Sequence, residues 1–415
     1  MKPRKPILVM LVVGLTVITA LSFVPYTLTF VADAEQLVSA TFDAAPAAAS
    51  SNARVHVETP PFDAAAWYGI RGEQVETHGV LAETYDGGKT IAAHNANALY
   101  NPASLIKLAT SLAVLRKLGV GYRFQTRVYA DGAIDSNGTL RGSLHFAGND
   151  PTFGDVTALR VLDELKTRGI KRVTEGIFVS PDFSFNYNSP EKSAQNLARS
   201  LKLPAKKWEA SEQATGALLF TVESNPLPEI LLYMNAHSVN FIAERLGDLV
   251  GGASGVTMFL VSEVKIPARD VLLESTSGLG HNQMTPRGMI AVVRALVEET
   301  KRLGLKPEEI MPVVSDDTGT LRRRMKGTEL EGAVVAKTGT LTQEVDGGMS
   351  SLAGLVYTKN EGMILFAIFD QGNRIADNRQ MQDEILRELV LSQDAPRPLP
   401  QVARKLLPRE ELIVH

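Results

Sequence analysis

Asn101-Pro102-Ala103-Ser104-Leu105-Ile106-Lys107 places a serine hydroxyl and a lysine amine three residues apart at the start of an apolar run. Serine is a weak nucleophile at neutral pH and needs a base beside it. On a helix, residues three apart share a face, so Lys107 can reach the Ser104 hydroxyl. The run Leu105-Ile106-Lys107-Leu108-Ala109 would partly desolvate the ammonium, lower its pKa and make neutral amine available as that base. Pro102 suits the first helical position and Asn101 an N-cap. The helix is therefore expected over 102–118, ending at Gly119, with Ser104 in its first turn, where the dipole favours developing negative charge.

Spacing alone does not single out this pair. A chain of this length should hold roughly one or two Ser-x-x-Lys by chance, and this one also has Ser189/Lys192 and Ser262/Lys265. The former lies in a polar stretch that offers Lys192 no apolar face. The latter lies in 256–266, which reads as a strand, where residues three apart point to opposite faces. Ser-x-Asn occurs at Ser50-Ser51-Asn52, Ser184-Phe185-Asn186 and Ser238-Val239-Asn240. Of these, Ser238 and Asn240 fall in a break between two expected helices, 228–234 and 240–249, where side chains can enter a cleft. Lys337-Thr338-Gly339 ends a Val-rich strand. A peptide can pair along such a strand, Gly339 leaves room for close approach, and Lys337 and Thr338 can hold a carboxylate.

Composition narrows the choice of chemistry. The 415 residues, 44% of them hydrophobic, suffice for two to three domains with real cores. A net charge of −3 gives no sign of a nucleic-acid binder. The absence of cysteine excludes disulfides, thiolate metal sites and a cysteine nucleophile. The seven histidines show no metal-ligand spacing, so neither metal nor cofactor is expected. Lys2, Arg4 and Lys5 precede an apolar segment, Ile7 to Val24, that reads as an export signal. It is long for a cleaved signal and just long enough to span a bilayer, while Ala32-Asp33-Ala34 offers a cleavage site. Residues 1–34 are therefore a signal peptide or an inner-membrane anchor through 7–24, with the body of the chain in the periplasm or cell envelope.

The expected organisation continues with an Ala/Pro/Ser-rich linker over 35–65. A main domain over 66–121 and 220–393 is interrupted by a mostly β insertion over 122–219, and a Pro-rich, loosely ordered tail runs from 394 to 415. A hairpin is expected over 79–93, a helix over 286–303, strands over 334–339, 352–358 and 363–369, and a closing helix over 379–391. The Arg322-Arg323-Arg324 run reads as solvated or paired with Asp316 and Asp317.

The order Ser-x-x-Lys, Ser-x-Asn, Lys-Thr-Gly is the signature of penicillin-binding proteins and class A β-lactamases. Over roughly residues 75–390 the chain resembles the low-molecular-mass class C penicillin-binding proteins, the D-Ala-D-Ala carboxypeptidase/endopeptidase family. Gly148-Asn149-Asp150-Pro151-Thr152, Leu232-Tyr233-Met234-Asn235, Ser277-Gly278-Leu279, the 319–328 segment, Lys337-Thr338-Gly339-Thr340-Leu341 and Ser350-Ser351-Leu352-Ala353-Gly354 carry that resemblance. It implies an α/β penicillin-recognising serine acyltransferase fold with an inserted β-rich domain, acting on peptidoglycan stem peptides and trapped by β-lactams. Residue by residue, it implies Ser104 as nucleophile, Lys107 as its base, Ser238 as proton relay and Asn240 as partner of Lys107 and of the substrate amide. Lys337 and Thr338 would bind the terminal carboxylate beside Gly339, and the Ser104 and Thr340 amides would form the oxyanion hole. Only 131 positions separate Lys107 from Ser238, fewer than such relatives usually have, and Glu274 to Gly280 is a drifted form of a family segment. A β-lactamase and a non-catalytic wall-binding protein on the same fold are the competing readings.

Overall fold

The computed structural model describes residues 61–401 and 413–414. The expected signal or anchor and nearly all of the linker lie outside them. The main sheet has five antiparallel strands, in the order Val334–Leu341, Met349–Tyr357, Met363–Gln371, His78–Thr84, Thr90–His94. Its middle strands are apolar on both sides because both faces are covered by helices. Val335, Ala353, Leu355, Leu365, Ala367 and Phe369 share a core with helices Ile106–Leu118, Leu227–His237 and Pro286–Arg302. The alternate residues Val334, Ala336, Leu352, Phe366 and Ile368 pack against Ala64–Ile70 and Ile375–Leu391. The period of two puts Lys337 on the first of these faces, with the Ser104 helix.

The insertion builds its own sheet and core. Strands Gln125–Ile134, Thr139–Ala147 and Ala217–Glu223 pair antiparallel, and Gly176–Val179 and Lys207–Ala210 extend the sheet in parallel. The segment read as mostly β also carries the helices Asp155–Thr167 and Pro190–Ser200, because parallel strands need crossovers and helices supply them. Phe146, Phe153, Phe183 and Phe185 are central to its core. Where the chain leaves the helix Ile106–Leu118 for the insertion and returns to the helix Leu227–His237, the two passing segments are zipped together: Phe124 N–H donates to Ser224 Oγ, Ser224 N–H to Phe124 O, and Leu227 N–H to Tyr122 O, each at 2.9 Å.

The structure corrects three expectations in the main body. Residues read as a strand over 256–266 form a helix, Gly252–Ser262. Its β-branched residues mislead, but Val256 and Leu260, four apart, are the pair that enters the core. The tail is docked as far as residue 401: Asp394 caps the Asn360-Glu361 turn, Arg397 N–H donates to Tyr357 O, and Leu399 N–H to Gly332 O. Arg322 and Arg323 are exposed, as the solvated reading expects, but Arg324 pairs with Asp383 of the closing helix rather than with the acidic residues near it in sequence.

Beneath the sheet, Asp370 accepts from Tyr68 Oη (2.9 Å) and Gln382 Nε2 (2.7 Å) and lies 2.7 Å from His78 Nδ1. Burial, then the Asp370 charge, pushes the Tyr68 phenol well up, so it stays a donor. All four groups are buried, and truncating the hub strands three partners at about 1–3 kcal/mol each. Asp370→Ala should therefore lose about 3 kcal/mol or more in urea unfolding, read as a lower midpoint at unchanged m-value.

Candidate active site

Ser104 sits in a 3-10 turn, Ala103–Leu105, that leads into the α-helix Ile106–Leu118. The α-helix therefore starts four residues later than Pro102 suggests. Ala103 has φ +50°, Asn101 Oδ1 accepts from Ala103 N–H at 3.0 Å, and Pro102 O is engaged by Ser351 Oγ at 2.9 Å. That backbone cannot start the α ladder. The turn is held by close approach on two sides. A Cβ on Gly278 would lie 1.9 Å from Ala103 O, and one on Gly339 would lie 2.1 Å from Ser351 Oγ and 2.6 Å from Pro102 O. Gly278 also has φ +89°, so both space and backbone require glycine there.

Lys107 is fully buried, and its Nζ lies 3.0 Å from Ser104 Oγ, 2.7 Å from Asn240 Oδ1 and 2.5 Å from Ser277 O. The last two are carbonyl oxygens and accept only. A neutral amine has two N–H bonds for them, and its lone pair then faces the Ser104 hydroxyl. Burial lowers the Lys107 pKa to about 7, while the Glu244 carboxylate pulls it the other way. In that state the amine can take the hydroxyl proton. Glu244 also builds this geometry: Oε1 accepts from Ser277 N–H (3.0 Å) and Oε2 from Thr276 Oγ1 (2.7 Å), which fixes the strand of chain whose carbonyl meets Lys107. Burial raises the Glu244 pKa, but the hydrogen bonds from Ser277 and Thr276 outweigh it and hold the carboxyl below its usual range.

Ser238 caps the helix Leu227–His237 in the left-handed region, φ +56°, and Asn240 opens the helix Asn240–Asp248. The break between the two helices thus turns both side chains toward the cleft, Asn240 to Lys107 and Ser238 to Lys337. Lys337 is fully buried, with Nζ 3.0 Å from Ser238 Oγ and 2.7 Å from Thr338 O. Burial, then repulsion from Lys107, holds its pKa well below the usual lysine value. Thr338 Oγ1 donates to Thr320 Oγ1 at 2.9 Å, and Arg379 Nη2 donates to Thr340 Oγ1 at 2.8 Å. His237 does not join this group; its ring lies against Tyr233, with Nε2 3.3 Å from Thr318 Oγ1.

The Val334–Leu341 strand is at the sheet edge. Its first half is covered, since Val314 N–H donates to Val334 O and Ala336 N–H to Pro312 O. Residues two apart present their backbone groups to the same side, so the amides of Thr338 and Thr340 also face away from the partner strand. The edge from Thr338 to Thr340 is thus a backbone ladder running past Ser104 with its amides turned outward.

The structure therefore gathers Ser104, Lys107, Ser238, Asn240, Lys337, Thr338, Gly339 and Thr340 along one cleft. Sequence reasoning gave no role to Glu244, Ser351 or the Ser277 carbonyl, whose work depends on contacts between distant segments. The decoys stay apart. Ser189 and Lys192 are exposed, and Lys265 is exposed with Nζ on Ser262 O at 2.5 Å. The reason given for discounting the Ser262 pair was mistaken, since it ends a helix, but its exposure removes any cause for a lowered amine pKa.

A two-sided sheet, a helix-borne Ser-Lys pair, and facing Ser-x-Asn and Lys-Thr-Gly elements define the penicillin-recognising fold. The chain belongs to the D-Ala-D-Ala carboxypeptidase 3 (S13) family, whose model matches residues 71–192 and 191–390. It is 30% identical over 203 residues to a D-alanyl-D-alanine carboxypeptidase of Actinomadura sp. (strain R39), a match covering 44% of this chain and 35% of that one. The chain thus spans about a third of the length of that curated relative. It superposes on a penicillin G-acylated predatory endopeptidase from Bdellovibrio bacteriovorus, in complex with an immunity protein, with a TM-score of 0.69 at 20% identity. That match covers 81% of this chain and 99% of the other. Penicillin binding protein 4 of Haemophilus influenzae gives 0.60 at 20% identity, over 75% and 96%. At such identities these two establish the fold.

The lowered Lys107 pKa sets the pH dependence of Ser104. Neutral amine grows as pH rises through about 7, so the rate of Ser104 acylation by a penicillin should climb between about pH 6 and 8. Glu244→Gln removes the charge that pulls the Lys107 pKa upward, so its rising limb should move to lower pH in a stopped-flow titration of acylation.

Proposed function

We propose that this protein is a serine D-Ala-D-Ala carboxypeptidase/endopeptidase acting on peptidoglycan stem peptides through a Ser104 acyl-enzyme, and that β-lactams trap the same serine. The observation that carries this reading is the Lys107 environment: two carbonyl acceptors, full burial and Ser104 Oγ at 3.0 Å. The terminal D-Ala carboxylate pairs with Lys337 and the Thr338 hydroxyl, and the peptide lies along the free edge of the Val334–Leu341 strand. Asn240 binds the substrate amide as well as orienting Lys107.

Lys107 takes the Ser104 proton as Oγ attacks the carbonyl carbon of the penultimate D-Ala. The oxyanion sits between the Ser104 and Thr340 amides, each worth about 3–4 kcal/mol in the transition state. The C–N bond breaks as Ser238 Oγ, in contact with Lys337, gives its proton to the leaving amine and takes up in its place the proton that Lys107 removed from Ser104. A water then attacks the ester carbonyl as Lys107 takes its proton, and Lys107 passes that proton to Ser104 Oγ as the ester C–O bond breaks, which frees the acid and restores the serine. A leaving amine from a free D-Ala makes the enzyme a carboxypeptidase, and one from a cross-bridge makes it an endopeptidase.

A β-lactamase on this fold needs a further base, such as a free Glu carboxylate, to activate the deacylating water. Glu244, the carboxylate that acts on Lys107, has both oxygens occupied by Thr276 and Ser277. That favours the peptidase. Export, which such a substrate requires, is supported by the basic and apolar pattern of residues 2–24, outside the described residues. Among the described residues, no helix is long and apolar enough to cross a membrane.

Wild-type protein should take a covalent fluorescent penicillin label and release D-Ala from a pentapeptide, and Ser104→Ala should do neither. Lys107→Ala should cut labelling by about a thousandfold or more. An unlabelled wild type, or a labelled Ser104→Ala, overturns the assignment. Product analysis on linear and cross-linked muropeptides decides between the two cleavage modes.

A further inference from the structure

The loop 342–348, which joins the strands Val334–Leu341 and Met349–Tyr357, has no part in the chemistry above. It ends in three successive left-handed residues, Asp346 (φ +51°), Gly347 (φ +76°) and Gly348 (φ +94°). Val345 packs against the main core, and Gly372 N–H donates to Gly348 O at 2.9 Å, so the loop is anchored on both sides of Asp346. This backbone brings the Asp346 carboxylate back to the start of the nucleophile turn. Its Oδ2 accepts from Asn101 Nδ2 at 2.6 Å, and its Oδ1 lies 2.7 Å from His281 Nδ1.

Asn101 is buried, and both polar atoms of its side chain are engaged. Nδ2 donates to Asp346 Oδ2 and to Gly280 O (2.8 Å), and Oδ1 accepts from Ala103 N–H (3.0 Å). The Asn101 hydrogen bond, aided by His281 and opposed by burial, holds the Asp346 carboxyl below its usual range. At neutral pH it is therefore ionised and accepts only, as does the Gly280 carbonyl. The NH2 end of Asn101 must face these two groups, and its oxygen must face Ala103. Turned over, the amide would set its oxygen against the carboxylate and its NH2 against the Ala103 N–H. Ala103 depends on that bond, because it is a non-glycine residue at φ +50°. The next residue along the turn is Ser104.

We propose that Asp346 is a positioning residue for acylation: through the Asn101 amide it holds Ala103 in the left-handed region, and so aims the Ser104 amide at the oxyanion and Ser104 Oγ at the acyl carbon. The inference rests on the Ser104 acyl-enzyme reading. The Asp346 oxygens go to Asn101 and His281 and not to Ser104, Lys107 or Lys337. The carboxylate therefore acts on the rate of bond formation, which is sensitive to small misplacements of the reacting group, rather than on ligand affinity.

The test follows acylation of the full chain by benzylpenicillin in stopped flow, which separates the ligand Kd from the acylation rate k2. Asp346→Gly removes the carboxylate and suits the left-handed backbone. It should lower k2 by about five- to twentyfold and change Kd less than about twofold. Asp346→Asn keeps an acceptor oxygen and tolerates the same backbone, so its k2 should stay within about threefold of wild type. Asn101→Ala should lower k2 at least as far as Asp346→Gly, and adding Asp346→Gly to it should change k2 less than about twofold further. A loop that merely stabilised the fold would lower the urea midpoint and leave k2 of the folded protein in place. Unchanged k2 in Asp346→Gly, a loss carried by Kd, or losses that multiply in the double variant overturn the inference and leave the acyl-enzyme reading standing. A wild type that penicillin never acylates overturns both. Where Asp346→Gly fails to fold, Asp346→Ser, whose hydroxyl stops a bond short of the carboxylate oxygens, takes its place in the cycle and the same outcomes decide.

Discussion

Everything in the cleft depends on how many acceptors surround one amine. Lys107 Nζ has two carbonyl oxygens and one hydroxyl within hydrogen-bond distance and no ion-pair partner among the described residues. An ammonium there would be a buried charge with no carboxylate in contact and only the Glu244 charge, behind the Ser277 amide, to offset it, a costly state. The site avoids it by giving up a proton, and the pair of acceptor-only oxygens decides which corner of the amine carries the lone pair. The basicity of Lys107 and its aim at Ser104 are therefore one property.

The surrounding structure keeps those two oxygens in place. Asn240 is placed by a helix–helix break that needs Ser238 in the left-handed region. The Ser277 carbonyl is placed by Glu244, one turn along the same helix as Asn240, so a single rigid element sets both acceptors. Gly278 and Gly339 admit the Ser104 turn from opposite sides, and Ser351 ties it to the sheet. Lys337 completes the arrangement as a second buried amine that repels the first. The cleft thus has two cation-capable groups and, among the described residues, no carboxylate in contact with either, which suits a ligand that arrives with one.

The sequence made the reactive parts legible and hid the parts that position them. Ser104, Lys107, Ser238, Asn240 and Lys337 sit in short motifs whose chemistry reads locally, and the hairpin, main strands and long helices follow from period and turn residues. The helix at 252–262 did not, because its β-branched side chains speak for a strand while only Val256 and Leu260 touch the core. The 3-10 turn at Ser104 was invisible because Asn101 and Pro102 shape it only together with the distant Gly278, Gly339 and Ser351. Glu244 looked like any surface acid on an amphipathic helix. Its partners lie more than thirty positions away, and no local pattern announces them.

The order of strands in the main sheet also bears on how the chain folds. His78–Thr84 pairs with Met363–Gln371, and through it with the strands that follow Ser104 by more than two hundred positions. The sheet joins two segments, 78–94 and 334–371, that lie far apart in the chain. The insertion, with its core drawn from 128–222, can collapse on local contacts, while the first hairpin and the Ser104 helix wait for the last three strands. The lone pair of Lys107 is thus among the last things to exist as the molecule forms. A chain still emerging from synthesis has its nucleophile but not the geometry that makes it one.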